Sequence, residues 1–144
     1  MTPLCSFFVP GEAAPGGSKR HIGGGRIIDD AKRNAPWRAL VSLTARQHYR
    51  GEPVRVPLKL TVTFTIARPA NHYRAGDRAK GLKVKAPAYP CKKPDLTKLV
   101  RALEDALTGI VWHDDVFVVR QALAKVWAPE GQGPGAHVSV EVVG

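Results

Sequence analysis

Acidic residues are scarce in this chain: its 144 residues hold 12 Asp+Glu against 22 Lys+Arg, a formal net charge of +10 at pH 7. So one-sided a balance favours a polyanionic partner, because each phosphate neutralised by Lys or Arg releases condensed counterions. Cysteine is as thin. Cys5 and Cys91 lie far apart and form no CxxC pair, which excludes a disulfide framework and a zinc cluster. Long apolar runs are missing too; Ile110-Val111-Trp112 falls far short of the roughly 18–20 residues of a membrane span. Met1–Pro10 has no basic start and only a short apolar stretch, so the expectation is a cytosolic protein without a membrane partner. His21, His48, His72, His113 and His137 are scattered without HxxxH spacing, and no Ser or Cys has a base and orienter around it.

What is present suffices for one core. Hydrophobic residues make up 44% of the chain, so the reading is a single domain over residues 1–144, with 14 Gly and 12 Pro confined to loops. Cys5–Val9 reads as a first strand, followed by a Gly/Pro/Ala-rich loop over Gly11–Gly25. Within it, Gly11-x-x-x-x-Gly16 resembles a phosphate cradle, but Gly17-Ser18 separates Gly16 from Lys19, so nucleotide binding is rejected. Arg26–Asp29 is a short strand, and Asn34-Ala35-Pro36-Trp37 reads as a helix start capped by Asn34, with Trp37, Leu40, Val41 and Thr44 on its inner face. Leu58–Ile66 alternates cleanly and must be a strand.

A long loop over residues 68–94 follows. It carries Arg68, Arg74, Arg78, Lys80, Lys83, Lys85, Lys92 and Lys93 against the single acid Asp77, with Tyr73 and Tyr89 interleaved. Phosphate contact with stacking suits that composition, and so does a solvated excursion pinned by its tyrosines. Leu96, Leu99, Val100, Leu103, Ala106 and Leu107 then follow helical spacing, with Asp95 or Thr97 as cap and Gly109 as stop. Val116–Trp127 and His137–Val143 close the chain as strands around a Pro129–Gly135 turn. The fold class is α/β (α+β), a mixed sheet packed with two main helices.

Five of the twelve acids fall between residues 95 and 115: Asp95, Glu104, Asp105, Asp114 and Asp115. Carboxylates on a cationic surface cost affinity for a phosphate backbone unless a hard divalent cation lies between them, which points to metal-dependent phosphodiester cleavage. Structural roles compete: Asp95 as helix cap, Asp105 as partner of Arg101 one turn earlier, Asp114-Asp115 as a turn.

The segment Lys93-Pro94-Asp95 through Gly109, followed by Val111-Trp112-His113-Asp114-Asp115, resembles the signature of the RusA family of Holliday-junction resolvases. The likeness extends more loosely to Val9-Pro10-Gly11, Gly17-Ser18-Lys19-Arg20, Arg68-Pro69-x-x-His72-Tyr73 and the terminal strands. It implies a homodimeric endodeoxyribonuclease of bacteria and phages that binds four-way junction DNA and cuts with magnesium, or manganese in its place. Family members carry Asp-x-Asp-Asn at the helix start, a Lys further along and an Asp in the later pair. The resemblance therefore assigns Asp95 and Asp115 as acids, Asp114 beside them, and Arg101 to the place of the Lys.

Thr97 stands where the second acid belongs and Lys98 where the Asn belongs. Both changes remove negative charge or ligand oxygen and weaken a magnesium site. Arg101 can stabilise phosphate charge but not act as a base. Thr97 holding a metal-bound water, or Asp114 replacing the lost ligand, would restore part of the site. Glu104, roughly 10 Å along the helix from Thr97, is too far to do so. Lys19, Arg20, Arg74, Arg78, Lys80, Lys83, Lys85, Lys92, Lys93 and Lys98 are the expected DNA contacts, with Ser18 touching phosphate. Two other readings compete with the nuclease. One is a junction-binding relative with weakened or lost catalysis; the other is a single-strand DNA or RNA module stacking bases on Tyr73, Tyr89 and Trp112.

Overall fold

The computed structural model describes residues 2–16, 19–21, 27–29 and 31–144; the side chains of residues 17–33, Ser18, Lys19 and Arg20 among them, lie outside the description. Strands β1 (Thr2–Pro10), β4 (Leu58–Ile66), β5 (Val118–Trp127) and β6 (Gly135–Val142) form one sheet in the order β1-β6-β4-β5. The β1/β6 and β6/β4 pairs are antiparallel, and β4/β5 is parallel. β2 (Lys19–His21) and β3 (Ile27–Asp29) make a separate antiparallel pair. The helices are α1 (Ala31–His48) and α2 (Leu96–Leu107).

Alternation decides which sheet face is covered. Leu58, Leu60, Val62 and Phe64 of β4 are fully buried and share a core with Val138 and Val140 of β6 and Phe7 and Val9 of β1. Against that face pack Trp37, Val41 and Ala45 of α1 and Leu99, Leu103 and Leu107 of α2. The opposite face shows Lys59, Thr61 and Thr63 beside Glu141, Ser139 and His137 in register, the apolar-in, polar-out pattern of a sheet covered on one side. Ser42 Oγ donates to the Ala106 carbonyl at 3.0 Å and joins the helices.

Several boundaries differ from those read in the sequence. α1 begins at Ala31, so Pro36 stands inside the helix and Asn34 is a buried interior residue rather than a cap. The Gly-rich stretch is not loop throughout, since Lys19–His21 pairs with Ile27–Asp29. Its first half lies against α2: the Gly16 amide donates to the Lys98 carbonyl at 2.9 Å. A Cβ at residue 16 would come within 3.1 Å of Ala102 Cα, so only glycine fits without displacement. β5 starts at Val118, because Asp115–Phe117 is a 3-10 turn in which Asp114 accepts from the Val116 amide at 3.0 Å. β6 starts at Gly135.

The basic excursion of residues 68–94 contains three short 3-10 turns, Ala70–His72, Arg74–Gly76 and Arg78–Lys80. Ala75, the middle residue of the second turn, adopts φ 53, a left-handed conformation that costs an alanine roughly 1–2 kcal/mol. Tyr73 is buried and anchors the segment, whereas Tyr89 is 62% exposed. No helix among the described residues is long and apolar enough to cross a membrane.

Candidate functional site: the two ends of helix α2

Helix α2 carries charge in the order its dipole disfavours. Its first turn holds no acid and its last turn no base, although carboxylates stabilise the positive N-terminus and cations the negative C-terminus. Here Lys98 and Arg101 stand toward the start, and Glu104 and Asp105 toward the end. The buried positions Leu99, Val100, Ala102, Leu103, Ala106 and Leu107 fix the helix face, so these charged residues fall on its outer stripe. A breach of local preference of this kind marks a surface shaped by something other than stability.

The N-terminal end is cationic. Asp95 occupies the cap position, yet its side chain makes no cap hydrogen bond. Its carboxylate Oδ2 instead lies 3.9 Å from Lys98 Nζ, an exposed pair worth little to stability. Thr97 beside it is exposed, as are Lys92 and Lys93. The preceding chain is tied to the sheet by Lys125, whose Nζ donates to the carbonyls of Lys92 at 2.8 Å and Pro94 at 2.9 Å. Two residues further along β5, Trp127 Nε1 donates to the Pro87 carbonyl at 2.9 Å, which also accepts from Arg68 Nη1 at 3.0 Å. The Arg68 guanidinium lies 4.9 Å from the centroid of the Trp127 ring, and the His72 ring meets that indole edge-on.

His72 reports the field of this patch. Its pKa is lowered by desolvation, then by Arg68, Lys92 and Lys83. Cations drawn from both ends of the excursion therefore reach one place. Arg74, Arg78, Lys80, Lys83 and Lys85 are exposed along it; Arg78 meets Glu130 at 3.7 Å, with both side chains more than half exposed.

The C-terminal end is acidic. Glu104 Oε2 accepts from Gln121 Nε2 at 3.1 Å. Burial pushes the Glu104 pKa up; the Gln121 hydrogen bond opposes this, and the charges of Asp115 and Asp105 add to it. The Asp115 pKa is raised by desolvation, by a hydrogen bond with Asp114, and by the charges of Asp114 and Asp105. Neighbouring carboxylates hold protons more tightly because they cannot all ionise cheaply. Beside the cluster a groove of about 510 Å³ runs between the helices, lined by Arg38, Ser42, Arg46, Asp105 and Thr108 among others.

The direction of β5 separates the acids. Gln121 meets Glu104 while Lys125 meets the backbone just before Asp95, so β5 runs antiparallel to α2. Asp115, just upstream of β5, therefore belongs to the far end of the helix from Asp95. Nine residues separate Asp95 from Glu104, roughly 13–14 Å of helix axis. Within one chain, the expected convergence of Asp95 and Asp115 on one ion is not the arrangement this geometry provides. Arg101 is exposed between the two ends, and no ion pair joins it to Asp105 among the described residues. Asp114 serves as the cap of the turn before β5.

Sequence spacing alone misses three of these residues. Lys125 and Trp127 lie in a segment read only as a closing strand, and Glu104, set aside as too remote from Thr97, is Asp115's neighbour. The available signal was the single lysine in the otherwise apolar run Ala122–Trp127, since an ammonium drawn partly out of water needs partners. Trp112, a candidate for base stacking, is fully buried with its Nε1 donating to Thr108 Oγ1 at 2.9 Å. With Tyr73 also buried, the single-strand module retains only Tyr89 of its three aromatic platforms.

A small basic α+β domain with a cationic excursion and a helix of segregated charge is suited to a polyanionic partner. The family model described as Endodeoxyribonuclease RusA matches residues 10–141, and the chain belongs to that family, whose activity is Holliday-junction resolution by DNA cleavage. The chain is also similar to the uncharacterized protein YqaN of Bacillus subtilis (strain 168), 28% identical over 127 residues that cover 86% of this chain and 88% of the relative.

RusA-family resolvases generally depend on divalent metal, which sets a test for these residues. No group of three or more His, Cys, Asp or Glu side chains among the described residues is disposed to hold an ion. At the start of α2 a cation would meet one carboxylate, the Thr97 hydroxyl and the Lys98 ammonium. That donor set suits magnesium poorly, since the ion takes hard oxygen ligands and is bound through carboxylates.

Proposed function

We propose that this chain recognises four-way junction DNA as a RusA-type protein, and that its cleavage is weak beside that of members with the full acid set. The observation that carries this reading is the start of α2, where Asp95 faces Lys98 at 3.9 Å and Thr97 occupies the second acid's place. Lys83, Lys85, Lys92, Lys93 and Lys98, with Arg74, Arg78 and Lys80, contact phosphates along the excursion and the helix start. Lys19 and Arg20, whose side chains lie outside the description, are proposed as further phosphate contacts on their charge alone. Arg101 supplies a fixed positive charge toward a reacting phosphate and, with its guanidinium always protonated, does not serve as base.

Asp95, with Thr97 beside it, and Asp115, with Asp114 beside it, are the residues proposed to take part in cleavage, each from its own end of α2 rather than as joint ligands of one ion within a chain. Magnesium or manganese is the proposed cofactor, bound weakly for the reasons above. A homodimer suits the substrate, because two symmetric cuts on a two-fold junction match a two-fold protein.

Synthetic four-way junctions, duplexes and single strands with the same sequences test the proposal by gel shift in EDTA and by cleavage with magnesium or manganese. The expected result is preferential junction binding without metal, and slow paired nicks with it. Equal affinity for all three DNAs would refute junction recognition. Rapid cleavage by the unaltered chain, matched by a Thr97→Asp, Lys98→Asn variant, would refute the weakened site.

A further inference from the structure

We infer that Lys125 is the positioning residue for Asp95: its ammonium clamps the two carbonyls that flank Lys93 and so sets where the start of α2 presents its carboxylate. The inference rests on the proposed role of Asp95. By register Lys125 lies opposite Phe64, and the same face of β5 carries Leu123 opposite Val62 and Gln121 opposite Leu60. Phe64, Val62 and Leu60 are all fully buried. An apolar side chain would serve the core better there, since a half-buried ammonium gives up water. Lys125 recovers it through bonds to the Lys92 carbonyl at 2.8 Å and the Pro94 carbonyl at 2.9 Å, both charge-assisted on the donor side.

The placement of those acceptors identifies the role. Pro94 immediately precedes Asp95, and the Asp95 carboxylate itself makes no cap bond that would hold it. Its only ion pair among the described residues is the 3.9 Å contact with Lys98. The carboxylate therefore takes its position from the backbone before it, and that backbone is held to the sheet by Lys125. Trp127 repeats the device at Pro87. Together the two side chains fasten both ends of residues 87–94, which carry Lys92 and Lys93.

The test uses full-length Lys125→Met, which keeps the stem and loses the donors, and Lys125→Arg, which keeps both charge and donors. The first readout is amide hydrogen exchange, which does not depend on activity. Lys125→Met should speed exchange over residues 88–99 at least tenfold with β4 and β6 within twofold of the unaltered protein, and Lys125→Arg should restore most of the protection. The second is single-turnover junction cleavage in a Thr97→Asp, Lys98→Asn background. Lys125→Met should lower the rate at saturating junction at least tenfold while Kd stays within threefold, with Lys125→Arg again restoring it.

Unchanged exchange over 88–99 overturns the inference. So does a rate and affinity lost in equal measure, which would make Lys125 a plain DNA contact, or a global loss of protection in Lys125→Met that Lys125→Arg does not repair. An Asp95→Asn control in the same background separates the two claims. If that variant cuts normally, the role of Asp95 has failed, and the exchange data still decide whether Lys125 holds the segment.

Discussion

Replacing Thr97 by Asp and Lys98 by Asn restores the acid and amide at the start of α2, and the structure allows the consequences to be separated. Thr97 is exposed in a first turn that holds no acid, so a carboxylate there meets the positive helix terminus and stabilises it by roughly 0.3–1 kcal/mol at low salt. Losing the Lys98 ammonium works in the same direction. For a domain of this size 1 kcal/mol corresponds to roughly 4 °C, so Tm should rise by about 1–4 °C without metal and less in high salt. A second effect follows if the new oxygens complete an ion site. At ten times Kd, bound magnesium adds about 1.4 kcal/mol, a further rise of roughly 4–6 °C. Thermal melts with and without magnesium, alongside junction cleavage, distinguish the terms. The expected outcome is a metal-dependent shift in the variant, a smaller one in the unaltered chain, and at least a tenfold gain in cutting. A metal-independent rise with no gain in cutting would show that the helix was improved and the site was not, and the argument from Thr97 would fall.

Other consequences are as direct. Burial raises the Cys5 pKa to about 11, whereas Cys91 is exposed, so a thiol reagent at pH 8 should label one equivalent quickly and the second far more slowly until the chain is unfolded. Glu104 has a raised pKa in the folded state, so its ionised form costs stability at pH 7, and that cost disappears as pH falls below the usual carboxylate range. Glu104→Gln, which can still accept from Gln121, should therefore melt above the unaltered protein at pH 7 and level with it near pH 3.5. Neutralising Lys83, Lys85 and Lys92 together should weaken junction binding and reduce the slope of log K against log salt by about 2–3, read by anisotropy titrations; an unchanged slope would place the DNA elsewhere.

The sequence revealed those parts of the fold in which a short repeat reports a single environment. Leu58–Ile66 alternates because one face of β4 is covered and the other is open, and α2 repeats because its buried stripe is continuous. Asn34-Ala35-Pro36 combines capping chemistry with a helix-start proline and so mimics a helix start, while the chain enters the helix three residues before Asn34 and buries it. The acids of the site were legible one by one. Their grouping was not, because it depends on the direction of β5 against α2, and no local spacing encodes that. Asp115 was thus expected beside Asp95, whereas the reversed strand carries it to Glu104. The role of Lys125 has no local signature for the same reason: its partners lie 31 and 33 residues earlier in the chain.

The ordering of charge along α2 also matters before any contact is made. With cations around residues 92–101 and carboxylates at residues 104–115, the face that carries α2 has a dipole that experiences a torque in the field of a polyanion, which favours approach with its cationic end forward. Such self-alignment shortens the search for a productive encounter. Added salt should therefore slow capture far more than it hastens release.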